Sequence, residues 1–169
     1  ARAAEMLGRP LEELKLITCH IGAGASITAI KGGKSFDTSM GFSPLAGVTM
    51  ATRSGDVDPS LVAFVQKKLG VSSDEMVDML NHKSGLLGIS GVSSDMRDVE
   101  KAKNEGNERA QLAWDIYVNR IVRYIGAYIA ELGGADAIVF TAGVGENSIT
   151  VRQAVADKLG YFGIAIDPE

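Results

Sequence analysis

Residues 15–38, KLITCHIGAGASITAIKGGKSFDT, decide how the chain folds. The opening KLITC is apolar and partly β-branched, which reads as a buried strand. Gly22, Ala23 and Gly24 make a turn, and ASITAI then alternates polar with apolar side chains, the period of a strand with one face in solvent. Gly32-Gly33 sits between two apolar-alternating arms, the signal of a second tight turn. Three antiparallel strands follow from this one stretch. A dinucleotide fingerprint also begins Gly-x-Gly, but it needs a third Gly and then a helix. Ile27 stands where that Gly would be, and a strand pattern follows it. The P-loop pattern G-x-x-x-x-G-K-[ST] occurs nowhere in the chain.

Upstream, residues 1–8 read as a short helix ended by Gly8 and Pro10. Downstream, 41–58 (GFSPLAGVTMATRSGDVD) has no clean period and is too apolar for disorder, so a long ordered loop is expected. Asp58 as N-cap and Pro59 at the first helical position open a helix that Gly70 closes. Ser72 or Ser73 caps a second helix over 74–82, and 83–94 reads as another Gly/Ser loop. Asp95 opens a third helix, broken at 104–106. The longest helix covers 107–132, with Leu112, Ile116, Ile121, Ile125, Tyr128 and Ile129 as its apolar stripe. A strand over 136–142, a loop over 143–147, a helix from Ser148 to Leu159 and a last strand over 161–166 complete the order.

Composition narrows the function classes. With 46% hydrophobic and 22% charged residues the chain suits a globular domain, and its 169 residues bury a real core. A net charge of -4 argues against nucleic acid or an anionic membrane as the main partner. One cysteine, Cys19, excludes an internal disulfide and fits a reducing cytoplasm. No apolar run approaches the roughly 18 residues that read as a membrane span. The absence of an initiator Met, and an end at FGIAIDPE just past a strand signal, point to a piece of a longer protein.

Four Gly-rich loops can carry chemistry. In His20-Ile21-Gly22-Ala23-Gly24, Gly at every second position lets backbone N–H groups approach an anion, with His20 as a donor at the mouth. The same turn also suits a hairpin that binds nothing. Arg53, within Thr52-Arg53-Ser54-Gly55-Asp56, is the planar cation suited to a transferring phosphoryl group. The alternative is an Arg paired with Asp56 or Asp58 in solvent. At Asp95-Met96-Arg97, Asp95 can cap a helix and accept from ribose hydroxyls, and Arg97 can lie along a base, or the two form only a cap with an exposed Arg. Gly143-Val144-Gly145-Glu146-Asn147 follows a strand and precedes a helix start, a place for a nucleotide or a plain βα turn. Lys31 and Lys34 read as solvated residues flanking a turn, His82 as a helix-end residue with no chemistry assigned, and Trp114 as core or interface.

In order and spacing, TCHIGAGASITAI, DTSMGFSPLAGV, ATRSGDVDP, KSGLLGISGVSSDMRD and VFTAGVGENS resemble the acetate kinase family across the whole chain. The resemblance implies an α/β fold, the ribonuclease H-like and actin-like ATPase domain of the acetate and sugar kinase, heat-shock chaperone and actin superfamily. It implies one nucleotide-binding domain over 1–169, truncated at both ends. It implies reversible transfer of the ATP γ-phosphoryl group to acetate, giving acetyl phosphate and ADP, with Mg²⁺ held mainly by residues outside this chain. Propionate or butyrate as acceptor, or a non-catalytic actin-like ATP-binding module, are the alternatives, and Arg53 argues against the last. By the same resemblance His20, Ile21, Gly22, Ala23 and Gly24 form the phosphate loop, and Arg53 stabilises the transition state. Asp95, Met96 and Arg97, with Gly143, Val144, Gly145, Glu146 and Asn147, contact ribose and adenine. Partners implied are the nucleotide, a small carboxylate and a second copy in a homodimer, in the cytoplasm, with no nucleic acid or membrane. The family commonly carries Asn where this chain has Ala23, so one side-chain contact to phosphate is lost.

Overall fold

A computed structural model of the chain describes residues 1–166. After a short helix α1 (Arg2–Leu7), the chain runs β1 (Lys15–Ile21), β2 (Ala25–Lys31) and β3 (Lys34–Thr38), the antiparallel meander read from residues 15–38. Helices α2 (Pro59–Leu69), α3 (Ser73–His82), α4 (Gly85–Ser90), α5 (Met96–Asn104) and α6 (Glu108–Leu132) follow, then β4 (Ala137–Thr141), α7 (Ala142–Asn147) and α8 (Ile149–Leu159). The sheet order is β3-β2-β1-β4, and β4 lies parallel to β1 in the register Leu16↔Ala137 to His20↔Thr141.

Capping chemistry sets most helix starts. The Asp58 carboxylate accepts from the Ser60 N–H beside Pro59, and Ser72 with Glu75 closes a capping box on α3. Asn107 and Ser148 likewise accept from N–H groups in the first turns of α6 and α8. The core forms where β1 and β2 meet α6 and α8: Ile17, Ile21, Ile27, Ile121, Ile125 and Val155 are at most 1% exposed. Each such aliphatic side chain is worth about 1.5–3 kcal/mol when removed from water.

Four sequence expectations are corrected. Residues 83–94 are not all loop, because 85–90 form α4, and 143–147 are helical as α7 rather than a loop. Residues 161–166 form no strand: a 3₁₀ turn at Gly160–Phe162 and a left-handed Gly163 carry the chain on, and the outer edge of β4 is unpaired among the described residues. The stripe of α6 is also shifted. Its buried residues are Ala110, Ala113, Trp114, Tyr117, Val118, Ile121, Ile125, Tyr128 and Leu132, because its first half packs on α4 and α5. Leu112, off that stripe, is 53% exposed.

Candidate functional site

The long loop after β3 is ordered because its backbone bonds to itself and to its neighbours. Residues 47–56 form an arch. At its feet Gly47 and Asp56 exchange bonds, the Asp56 N–H donating to the Gly47 carbonyl and the Asp56 Oδ1 accepting from the Gly47 N–H, both at 2.8 Å. At its crown the Met50 N–H donates to the Arg53 carbonyl at 3.1 Å. The N–H groups of Ser84, Leu86 and Leu87, around the start of α4, donate to the carbonyls of Thr52, Met50 and Ala51. The Ala51 N–H reaches the Ala23 carbonyl at 3.1 Å, so arch and β1–β2 turn are tied together.

That tie brings Arg53 to the turn. A Cβ placed on Gly24 would lie 3.2 Å from Arg53 Nη1, so the guanidinium rests directly on the Gly24 backbone. Arg53 Nη1 donates weakly to the Pro44 carbonyl at 3.4 Å, with Met50 Sδ at 3.7 Å. No carboxylate pairs with Arg53 among the described residues. The expected alternative of an Arg53 pair with Asp56 or Asp58 is therefore not what forms: Asp58 caps α2 and Asp56 turns to α6. In the turn the Gly22 N–H is used by the Gly24 carbonyl, while those of Ala23 and Gly24 donate to nothing among the described residues. His20 Nδ1 lies 3.0 Å from Thr141 Oγ1, across the parallel β1–β4 pair, and its ring is otherwise exposed.

A cavity of about 830 Å³ opens beside the turn. Gly22 and Ala23 wall one side, Asp95, Met96 and Arg97 a second, and Gly143, Val144 and Asn147 a third. Loops separated by more than a hundred residues thus face one volume. The size suits a drug-sized or nucleotide-sized ligand. Ile21 does not reach it, its side chain being fully buried in the core. Gly145 packs under the site, 3.5 Å from the Cys19 carbonyl for an added Cβ, and Glu146 turns back to accept from the Ala142 N–H at 2.9 Å. The α7 N-terminus therefore already carries one carboxylate on its first amide. Ala142 itself holds φ 65°, a left-handed residue without glycine's freedom, at the junction that swings β4 into α7.

At the second wall Asp95 caps α5 through the Arg97 N–H, and its carboxylate also takes the Arg97 guanidinium, Nε to Oδ1 at 3.0 Å and Nη2 to Oδ2 at 2.5 Å. That side-chain bond first, and the backbone bond second, hold the Asp95 carboxyl down at about 2. The cap with an exposed Arg97 is thus present, on the rim of the cavity. Burial pushes the Cys19 thiol well up, so it stays neutral under the turn.

A sequence profile described as the Acetokinase family matches residues 1–169. This chain belongs to that family. It is 76% identical over its whole length to an acetate kinase of Limosilactobacillus fermentum and 59% identical over 99% of its length to one of Geobacillus kaustophilus. It spans 42% of the length of those relatives. Among solved structures it is similar to an acetate kinase of Porphyromonas gingivalis, at TM-score 0.95 and 49% identity. It is likewise similar to a propionate kinase of Francisella tularensis, at 0.91 and 43%. Each comparison covers 98% of this chain and 42% of the other. The α/β class expected from the acetokinase resemblance is thereby shown.

Sequence reading missed several walls of the cavity. Ala51, Leu86, Ser94, Glu100, Tyr117 and Ser148 to Thr150 also line it. Ala51 and Leu86 lie within matched acetokinase motifs and adjoined loops already singled out. Tyr117 and Glu100 belong to helix patterns that give no local signal of a site. Among the described residues no cluster of three or more His, Cys, Asp or Glu is placed to hold a metal ion, and no helix is long and apolar enough to cross a membrane.

Proposed function

We propose that this chain is the nucleotide-binding part of an acetate kinase that moves the γ-phosphoryl group of ATP reversibly to acetate, in a longer protein. The observation that carries this reading is the Arg53 cation, unpaired by any carboxylate among the described residues and lying on the Gly24 turn beside the 830 Å³ cavity. Phosphoryl transfer proceeds with charge spread over equatorial oxygens, and catalysis is chiefly positioning and charge stabilisation. The N–H groups of Ala23 and Gly24, free among the described residues, with His20 at the mouth, hold the phosphates. Arg53 meets the phosphoryl group as it leaves, and Asp95 to Arg97 with Gly143 to Asn147 take ribose and adenine. Mg²⁺, when bound, neutralises charge on the phosphates. The described residues offer no ligand cluster for it, so no step is assigned through it. Residues 1–169 serve as one nucleotide-binding domain of a cytoplasmic homodimer.

A pure nucleotide switch has no need of Arg53 at the acceptor side, which disfavours an actin-like module. Propionate or butyrate as acceptor is the second reading, since the fold aligns with an acetate kinase and a propionate kinase alike. In the full-length protein, Arg53→Ala is expected to lower kcat about 10³-fold, the scale of a phosphoryl-stabilising arginine, with ADP affinity by calorimetry little changed. An equal fall in nucleotide affinity overturns the transition-state role. Turnover of acetate, propionate and butyrate in a hydroxamate assay ranks the acceptors.

A further inference from the structure

Asp56 lies three residues beyond Arg53, and its carboxylate faces away from it. Oδ1 takes the Gly47 N–H at 2.8 Å and Oδ2 takes the Tyr124 hydroxyl at 2.5 Å. The Asp56 carbonyl accepts from Arg120 Nη2 at 2.9 Å. Arg120 and Tyr124 are four apart and so share one face of α6. One residue thus closes the feet of the arch and fastens them to the longest helix. Burial first, and Asp56 second, push the Tyr124 phenol up to about 12, so it remains a donor at working pH.

We infer that Asp56, fastened by Tyr124, is a positioning residue that sets where Arg53 meets the phosphoryl group. The inference rests on Arg53 having that role. Among the described residues the Arg53 guanidinium has only weak partners of its own, a 3.4 Å contact to a carbonyl and a sulfur neighbour. Its place is therefore inherited from the backbone that carries it. The crown fixes the Arg53 carbonyl through Met50, and the heading of the limb that returns from Arg53 is fixed at Asp56. A displacement of about 1 Å at a positioned group costs on the order of 100-fold in rate, which is within reach of a limb released from α6. The effect falls on turnover, because neither Asp56 nor Tyr124 lines the cavity where the nucleotide is placed.

The test is a double-mutant cycle in the full-length protein, reading kcat, KM for ATP and Kd for ADP. Tyr124→Phe removes one hydroxyl and little volume, and is expected to lower kcat about 10-fold with KM and Kd unchanged. Asp56→Ala is expected to lower kcat about 100-fold, and Asp56→Asn, which keeps an acceptor for Gly47, to recover part of it. Arg53→Ala combined with Tyr124→Phe is expected to be no slower than Arg53→Ala alone, since a group that acts only through Arg53 has nothing left to position. A merely structural role would instead multiply through the double variant, and that result overturns the inference. So does an unchanged kcat in Tyr124→Phe, whether or not Asp56→Ala folds. If Arg53→Ala itself leaves kcat intact, it is the proposed role of Arg53 that fails.

Discussion

Gly85 is where a single methyl group should do most damage. It holds φ +59° at the start of α4, and a Cβ there would sit 2.3 Å from the Met50 carbonyl oxygen and 2.7 Å from that of Arg53. Ordinary contact begins at 3.4 Å, so the crown of the arch must retreat by about 1 Å, and both obstacles are backbone. The left-handed conformation alone costs Ala about 1–2 kcal/mol. Loss or stretching of the two bonds that meet there, Leu86 N–H to Met50 and Met50 N–H to Arg53, adds about 1 kcal/mol each. Gly85→Ala should therefore cost about 3–4 kcal/mol, against a typical total of about 5–15. Gly70→Ala is the control, since Gly70 holds φ +68° with nothing within 4 Å and should cost the conformational part only. The assay is the apparent urea midpoint of the full-length protein beside kcat. The expected result is a shift at least twice that of Gly70→Ala and an about 100-fold fall in kcat. Equal shifts for the two variants would refute the reasoning, because the crown would then be free to yield.

Two further outcomes are open to measurement. Ala23 lines the cavity with its N–H free among the described residues, so Ala23→Asn should tighten ADP binding about 2- to 10-fold by calorimetry, the value of one added hydrogen bond. Asp95, held down at about 2, has a depressed folded value, so the stability it lends is complete above the ordinary carboxylate range and is lost as pH falls through about 2. Carboxyl NMR should show it ionised at pH 3, and Asp95→Asn should remove its part of the acid limb.

The meander was legible because its period of two and its two glycine turns act locally, and α2, α3, α5 and α8 because Asp58, Ser72, Asp95 and Ser148 announce their own starts. Helix α4 was not, because GLLGIS has little helix preference of its own and is held by tertiary bonds from its first turn to the arch. The same limit hid α7, whose first amide is satisfied by Glu146 four residues on rather than by a residue at the cap. In the site, the motif loops could be named one by one, but their convergence on a single cavity depends on the pairing of β1 with β4, which no local pattern encodes. The direction in which Asp56 faces was equally out of reach, since Tyr124 lies 68 positions away.

That parallel pairing also has a temporal side. His20 and Thr141 sit 121 positions apart, so the β1–β2 turn cannot gain its β4 neighbour until residue 141 has been synthesised and the intervening helices have collapsed. Long-range parallel pairs are slow to form. The edge of β1 that β4 covers is thus the part of the sheet left waiting longest, and any ligand that binds only the closed ladder favours its completion by mass action. On the proposed function, ATP would then act as a folding ligand for this domain as well as a substrate.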